Sequence, residues 1–250
     1  MKKVCLDENV ISYLKDEKAI YESLLGMKSD ALFFYSEAHL FDLSRSNKNH
    51  PNFKEDLLTL ETICGNNLLK WDKTMGFFIF SVDPITFLNE GFAAMSSLER
   101  KLKEANLFGN MLFNRAFYKL FKFPVLSKEN TYEEIIDKLN EGVENAGIGE
   151  SLLDVVHKYN RIGGNDDLRT NFQSIYMILD YCGFFSDKAK KKSYYFNVNV
   201  DATHTFMASY CDIFCTCDKN VREKAHVLYT HYGIDTQVVD MSELTAALNH

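Results

Sequence analysis

Four aspartates, Asp7, Asp42, Asp201 and Asp218, stand where the residue pattern ends a strand or begins a helix. Two lie near the start of the chain and two near its end, so the polypeptide must return on itself to gather them. Carboxylates collected at the C-terminal edge of a parallel sheet suit hard divalent cations, and such cations suit phosphate chemistry. Packed together without a cation, four carboxylates would repel one another. Each also has a plainer use taken singly. Asp201 can cap a helix in any fold, Asp218 can cap the helix that follows it, and Asp42 can be a solvated surface residue.

The elements that must position these residues follow from the pattern. Val4-Cys5-Leu6 has strand character and ends at Asp7-Glu8-Asn9, before helical spacing from about Val10 to Leu25. Ala31–Tyr35 is a second apolar strand, with Ser36 as N-cap of a helix from Glu37 to about Ser44. At the far end Asp201 opens a helix to about Tyr210, and Asp212–Thr216 is an apolar strand delivering Asp218. Val221–Tyr232 is a helix stopped by Gly233, and Thr236–Val239 is a last strand. Alternating strands and helices at both ends predict an α/β fold with a mainly parallel sheet. The middle reads as helices over Phe53–Cys64, Ser96–Phe121, Tyr132–Val143, Ser151–Tyr159 and Asp167–Tyr181, while Leu68–Phe87 has extended character that the pattern leaves open.

Composition sets the limits. The 250 residues are 46% hydrophobic and 25% charged, with only three Pro against twenty Phe and thirteen Tyr, which fits a well-packed chain with little disorder. A net charge of −7 counts against a coat protein for nucleic acid but not against a nuclease, whose clustered acids lower the total. The opening Met-Lys-Lys-Val-Cys-Leu-Asp reaches a charge before any long apolar run, so a reduced, cytoplasmic setting with free thiols is expected. The longest apolar stretch, Phe77–Leu88, is broken by Asp83-Pro84 and is too short to span a bilayer, so no membrane partner is expected.

In order and context the acidic motifs resemble those of PIN-domain nucleases. Val4-Cys5-Leu6-Asp7-Glu8-Asn9 resembles the family's first motif, a strand ending in Asp-x-Asn. Ser36-Glu37-Ala38-His39-Leu40-Phe41-Asp42-Leu43 resembles the second, Asp201-Ala202-Thr203-His204, followed by Ala208, the third, and Cys211-Asp212-Ile213-Phe214-Cys215-Thr216-Cys217-Asp218 the fourth. The resemblance covers roughly residues 1–45 and 198–245. It implies one PIN-like three-layer α/β/α domain assembled from 1–45 and 198–250, carrying a mostly helical insertion over 46–197 that has no family counterpart. It also implies Mg²⁺- or Mn²⁺-dependent hydrolysis of phosphodiester bonds, usually in RNA. Asp7 would be the central ligand, Asp201 and Asp218 would complete the metal shell, and Asp42 would bind or orient a second metal or the water. Asn9, Ser36 and Thr216 would hydrogen-bond these carboxylates or a phosphate. Two other readings stay open: a DNA or structure-specific nuclease using the same acids, and a non-catalytic PIN-like interaction module.

The remaining candidates are weaker. His39 shares a helix face with Asp42, and His204 with Asp201, so either imidazole could contact phosphate, although a structural role is the commoner one. Lys188, Lys190, Lys191 and Lys192 form a basic run ahead of the third motif, placed to guide a nucleic-acid backbone. A second basic segment, with Arg100, Lys101, Lys103, Arg115, Lys119 and Lys122 among aromatics, could bind a single strand or be a solvated face over a core. Cys211, Cys215 and Cys217 read as small apolar residues of a buried strand rather than zinc ligands. Self-association through exposed helical faces and an inhibitory protein partner are both left open.

Overall fold

Lys2–Leu6 forms β1 and occupies a central position in a six-stranded sheet. The other strands are β2 (Ala31–Ser36), β3 (Asn67–Asp72), β4 (Gly76–Ser81), β5 (Ile213–Cys215) and β6 (Gln237–Val239). Their order across the sheet is β4-β3-β2-β1-β5-β6. All neighbours pair in parallel except β3 and β4, which are antiparallel. The structure, a computed structural model, describes residues 1–45, 51–91, 124–149, 151–162, 164, 166–186 and 194–249. Arg100–Lys122 and the run Lys188, Lys190, Lys191 and Lys192 lie outside the described residues.

The parallel strands are near-continuous apolar runs because the sheet is covered on both faces. On one face Val4, Leu6, Phe33, Tyr35, Ile213, Cys215 and Val239 join a single core. Helices α1 (Glu8–Leu14), α2 (Lys18–Gly26), α3 (Glu37–Arg45), α4 (Pro51–Cys64) and α5 (Pro84–Gly91) contribute to it. The alternate strand residues Cys5, Phe34 and Phe214 are buried on the opposite face. There Phe34 meets Tyr210, and Phe206 packs against Trp71 and Phe77 with ring centroids 5.2 and 5.1 Å apart. An α/β class with helices on both sides of the sheet follows, compatible with three layers.

Two compact units divide the chain. The first comprises Met1–Ser96, Thr203–Arg222 and Asp235–His250, and holds the sheet. It reaches well past residue 45 because the Leu68–Phe87 stretch supplies β3, β4 and α5. Asp72 turns the hairpin by accepting the backbone N–H groups of Thr74 and Met75, and Gly76 follows at φ +76°. The second unit comprises Ser97–Ala202 and Glu223–Ile234. Its described helices are α6 (Tyr132–Asn145), α7 (Leu152–Ile162), α8 (Leu168–Tyr181), the first part of α9 (Tyr194–Ala208) and most of α10 (Lys219–Tyr232).

Helix α6 starts at a reciprocal capping box between Thr131 and Glu134 and buries Ile135, Leu139 and Val143, four residues apart. Asp167 caps α8, and Gly233 at φ +62° ends α10 with Ile234 N–H bonded to the Tyr229 carbonyl. Within this unit Lys224 and Asp180 form a buried ion pair at 2.5 Å, and the Tyr194 hydroxyl donates to the other Asp180 oxygen. A last helix, α11 (Met241–Asn249), follows β6 in the first unit. No described helix is long and apolar enough to cross a membrane.

Two sequence expectations are revised. The helical pattern from Val10 to Leu25 is two helices, since Lys15–Glu17 turns between α1 and α2. Asp201 is not a cap, because α9 begins at Tyr194 and Asp201 lies within it. An aspartate inside a helix costs only about 0.7 kcal/mol relative to alanine, which packing on the neighbouring turns readily offsets.

Candidate acidic site at the sheet edge

Chain direction reverses at β1: the chain runs outward through β2 and β3 on one side, then fills the other side with β5 and β6. Such a switch point leaves a crevice at the C-terminal ends of the flanking strands, where open α/β sheets bind ligands. Asp7 is the residue that leaves β1 at this point.

Asp7 does two backbone jobs at once. Its N–H continues the sheet ladder to the Cys215 carbonyl at 2.9 Å, and its Oδ1 caps α1 by accepting the Glu8 N–H at 2.8 Å. The second oxygen, Oδ2, accepts from the Thr216 hydroxyl at 2.7 Å and the Asn9 amide at 2.9 Å. Asn9 Oδ1 in turn accepts the Cys217 N–H, and Thr216 Oγ1 accepts the Asp218 N–H at 3.1 Å. The ends of β1 and β5 are therefore laced together through this one carboxylate, which is only 5% exposed. Burial pushes the Asp7 carboxyl above its usual range, and His204 and Thr216 pull it partly back.

The partner charges come from α3 and α9. His204 Nε2 lies 3.8 Å from Asp7 Oδ1 and 3.5 Å from Asp42 Oδ2, with the imidazole fully buried and the Asp42 side chain 29% exposed. Neither ring nitrogen makes a hydrogen bond of ordinary length. Burial alone would push His204 down, but the charges of Asp7 and Asp42 outweigh it and hold the imidazole above its ordinary value. Asp42 is the solvent-facing side of the cluster.

His39 packs edge-on against His204, with ring centroids 4.5 Å apart. Its Nε2 donates to the Leu6 carbonyl at 2.6 Å, and its Nδ1 accepts from the Ser36 N–H at 3.1 Å. Burial, helped by the His204 charge, holds it well below the ordinary histidine value. A fully buried, neutral ring with both nitrogens engaged is a strut between the ends of β1 and β2, not a group open to phosphate. Ser36 belongs to this strut: its hydroxyl lies 3.2 Å from His39 Nδ1 and accepts the Ala38 N–H.

Asp218 Oδ1 caps α10, accepting from Asn220 N–H at 2.7 Å and Val221 N–H at 3.3 Å. Its backbone is tied to Asp7 through Thr216. Asp201 lies one turn before His204 on α9, half-buried, in the stretch that belongs to the second unit. His204 lies within 4 Å of both Asp7 and Asp42, and no three described His, Cys, Asp or Glu side chains form a ready-made metal cage.

Glu8 is an addition that the sequence pattern does not favour. Its Oε2 is sealed from solvent without a partner, and burial, then the charges of Asp42, Asp56 and Asp7, push it well above the usual range. Asp56 on α4 pairs with Lys15 at 2.7 Å. Asp56 and Lys15 belong to no motif, and no local spacing links them to Asp7. No family model, no curated protein and no solved structure matches this chain.

Proposed function

We propose that the acidic cluster is the metal-dependent phosphodiesterase centre of a PIN-like endonuclease acting on RNA. The observation that carries the reading is the meeting of Asp7 and Asp42 at the sheet's switch point around a buried His204 that approaches both carboxylates without a hydrogen bond of ordinary length. Hard carboxylate oxygens suit Mg²⁺ or Mn²⁺, and Mg²⁺ is commonly held by one or two carboxylates with waters and substrate phosphate filling the remaining positions. Asp7 and Asp42 fit that role without a complete protein cage, with Asp218, tied to Asp7 through Thr216, as the further ligand that the motif order suggests. A bound ion of this kind supplies an activated water and stabilises the leaving oxygen.

The chain's own residues account for the rest. Thr216, Asn9 and the Glu8 N–H fix the orientation of Asp7, so its carboxylate is preorganised. The His39 strut holds the end of β1 against the start of α3, which carries Asp42. Asp42, the exposed member, faces incoming substrate.

One observation favours a second reading. His204 itself brings positive charge between Asp7 and Asp42, which is what a non-catalytic PIN-like module would use instead of a metal. The test is cleavage. Purified protein with Mn²⁺ is expected to cut single-stranded RNA, more slowly single-stranded DNA, and EDTA or Asp7→Asn is expected to abolish cutting. Undiminished cleavage by the Asp7→Asn protein would remove the assignment, and no cleavage of either nucleic acid by the wild type would favour the module.

A further inference from the structure

Strand β4 is an edge of the sheet and carries no charge: Gly76-Phe77-Phe78-Ile79-Phe80-Ser81. Exposed edges are ordinarily protected by lysine, proline, a bulge or brevity, because their unpaired N–H and C=O groups template another strand. None of these devices is present over six residues. Of the eleven large apolar residues exposed in the described chain, four fall between 75 and 85: Met75, Ile79, Phe80 and Ile85.

The hydrogen-bond phase of the edge follows from its pairing with β3. The Val82 N–H donates to the Asn66 carbonyl at 3.0 Å, and the register places Ser81 opposite Asn67 and Ile79 opposite Leu69. In an antiparallel pair bonded and non-bonded positions alternate, so Phe78 and Phe80 bond inward to β3 while Phe77, Ile79 and Ser81 turn their backbone groups outward.

We propose that a second copy of this chain occupies the edge, by antiparallel pairing of β4 with β4 about a two-fold axis at Ile79. The phase allows it: Ile79 faces Ile79, and Phe77 faces Ser81 at both ends, so all three outward-facing residues find bonded partners. The side chains agree, since Phe78 of one copy then stands across from Phe80 of the other on one face. Charge does not oppose the pairing. The turn bearing Asp72 and Lys73, which balance each other, comes alongside the end bearing Asp83 in the other copy, while the two Lys73 residues lie at opposite ends. A closed two-fold contact of this kind uses one patch twice and leaves no free β4 edge.

The test uses the full chain and reads mass by analytical ultracentrifugation between about 1 and 100 µM, a range spanning ordinary self-association affinities. Wild type is expected to reach twice the monomer mass. Ile79→Lys and Ile79→Glu, each placing like charges directly across the axis, are expected to raise the dissociation midpoint at least about tenfold. An equimolar mixture of these two variants is expected to regain the dimer, because position 79 faces itself only in this register. Circular dichroism checks that both variants are folded, and Ile79→Thr, which is neutral, replaces either that is not. A monomeric wild type overturns the proposal, as does a dimer unaffected by both charged variants or a mixture that stays monomeric.

Discussion

Thr216 offers the sharpest test of how Asp7 is held. Its hydroxyl is fully buried, donates to Asp7 Oδ2 at 2.7 Å and accepts the Asp218 N–H at 3.1 Å. Thr216→Val keeps the shape and opens no cavity, so its cost isolates these two bonds. A hydrogen bond to a charged acceptor contributes about 1.5–3 kcal/mol, and a donor left without a partner about 1 kcal/mol more. Asp7 retains Asn9 and the Glu8 N–H, which puts the expected loss at about 2–4 kcal/mol, read by urea unfolding with unchanged slope. Thr216→Ser keeps the hydroxyl and loses one methyl, about 1 kcal/mol. The order wild type, Ser, Val is therefore required. Equal stability of the Val and Ser proteins would refute the claim that this hydroxyl ties β1 to β5 through Asp7.

Further outcomes follow from other sites. Lys224→Met strands the Asp180 carboxylate beside Tyr194, and unfolding experiments are expected to show a loss of about 3–5 kcal/mol, much of it recovered by adding Asp180→Leu. Asp166 bonds Asn171 first, then His157 and Arg161, which lowers its carboxyl to about 2. Because the folded value lies below the unfolded one, near 3.9, its stabilisation is complete above about pH 4 and is lost as pH falls toward 2. An acid titration of Asp166→Asn is expected to lack that component, and identical acid profiles for the two proteins would rule it out. Mg²⁺ at about a hundred times its Kd would stabilise the fold by about 2.7 kcal/mol, raising the melting temperature by about 5–10 °C in wild type but not in Asp7→Asn. Equal shifts in both proteins would place the ion elsewhere.

The sequence reads best where one physical signal acts alone. β1, β2, β5 and β6 are visible as short apolar runs because a doubly covered parallel sheet needs nothing else. Helix α6 is visible because a capping box precedes Ile135, Leu139 and Val143 at regular spacing. The β3–β4 hairpin is ambiguous because Phe77-Phe78-Ile79-Phe80 has neither alternation nor a helical period. The break at Lys15–Glu17 lacks glycine and proline. Helix α11 is missed by the sequence reading, which ends at the Thr236–Val239 strand, although Asp240 and Glu243 form reciprocal capping contacts at its start. At the site, Asp7, Asn9 and Thr216 could be related because Asp7 and Thr216 leave strand ends that the topology brings together and Asn9 lies in the first turn of the helix that Asp7 caps. Ser36 sits at such an end too, but its hydroxyl serves His39 instead. Asp56 and Lys15 could not be found, because a helix packed across the sheet delivers Asp56 and no local spacing encodes that approach.

Charge balance is what separates the two readings of the site. The carboxyl groups acting on one another are Asp7, Glu8, Asp42 and Asp56, and the basic groups beside them are Lys15 and His204. Lys15 is committed to Asp56 by a 2.7 Å contact, and His204 stands 3.8 Å from Asp7 and 3.5 Å from Asp42. One imidazolium can neutralise one carboxylate, and burial favours the neutral form of Glu8 over the charged one. A module that used His204 in place of a metal would be stabler with fewer acids here, because each uncompensated buried carboxylate opposes folding. Asp7, buried and with His204 no nearer than 3.8 Å, gains most from a divalent cation entering on the Asp42 side, which supports the hydrolytic reading proposed above.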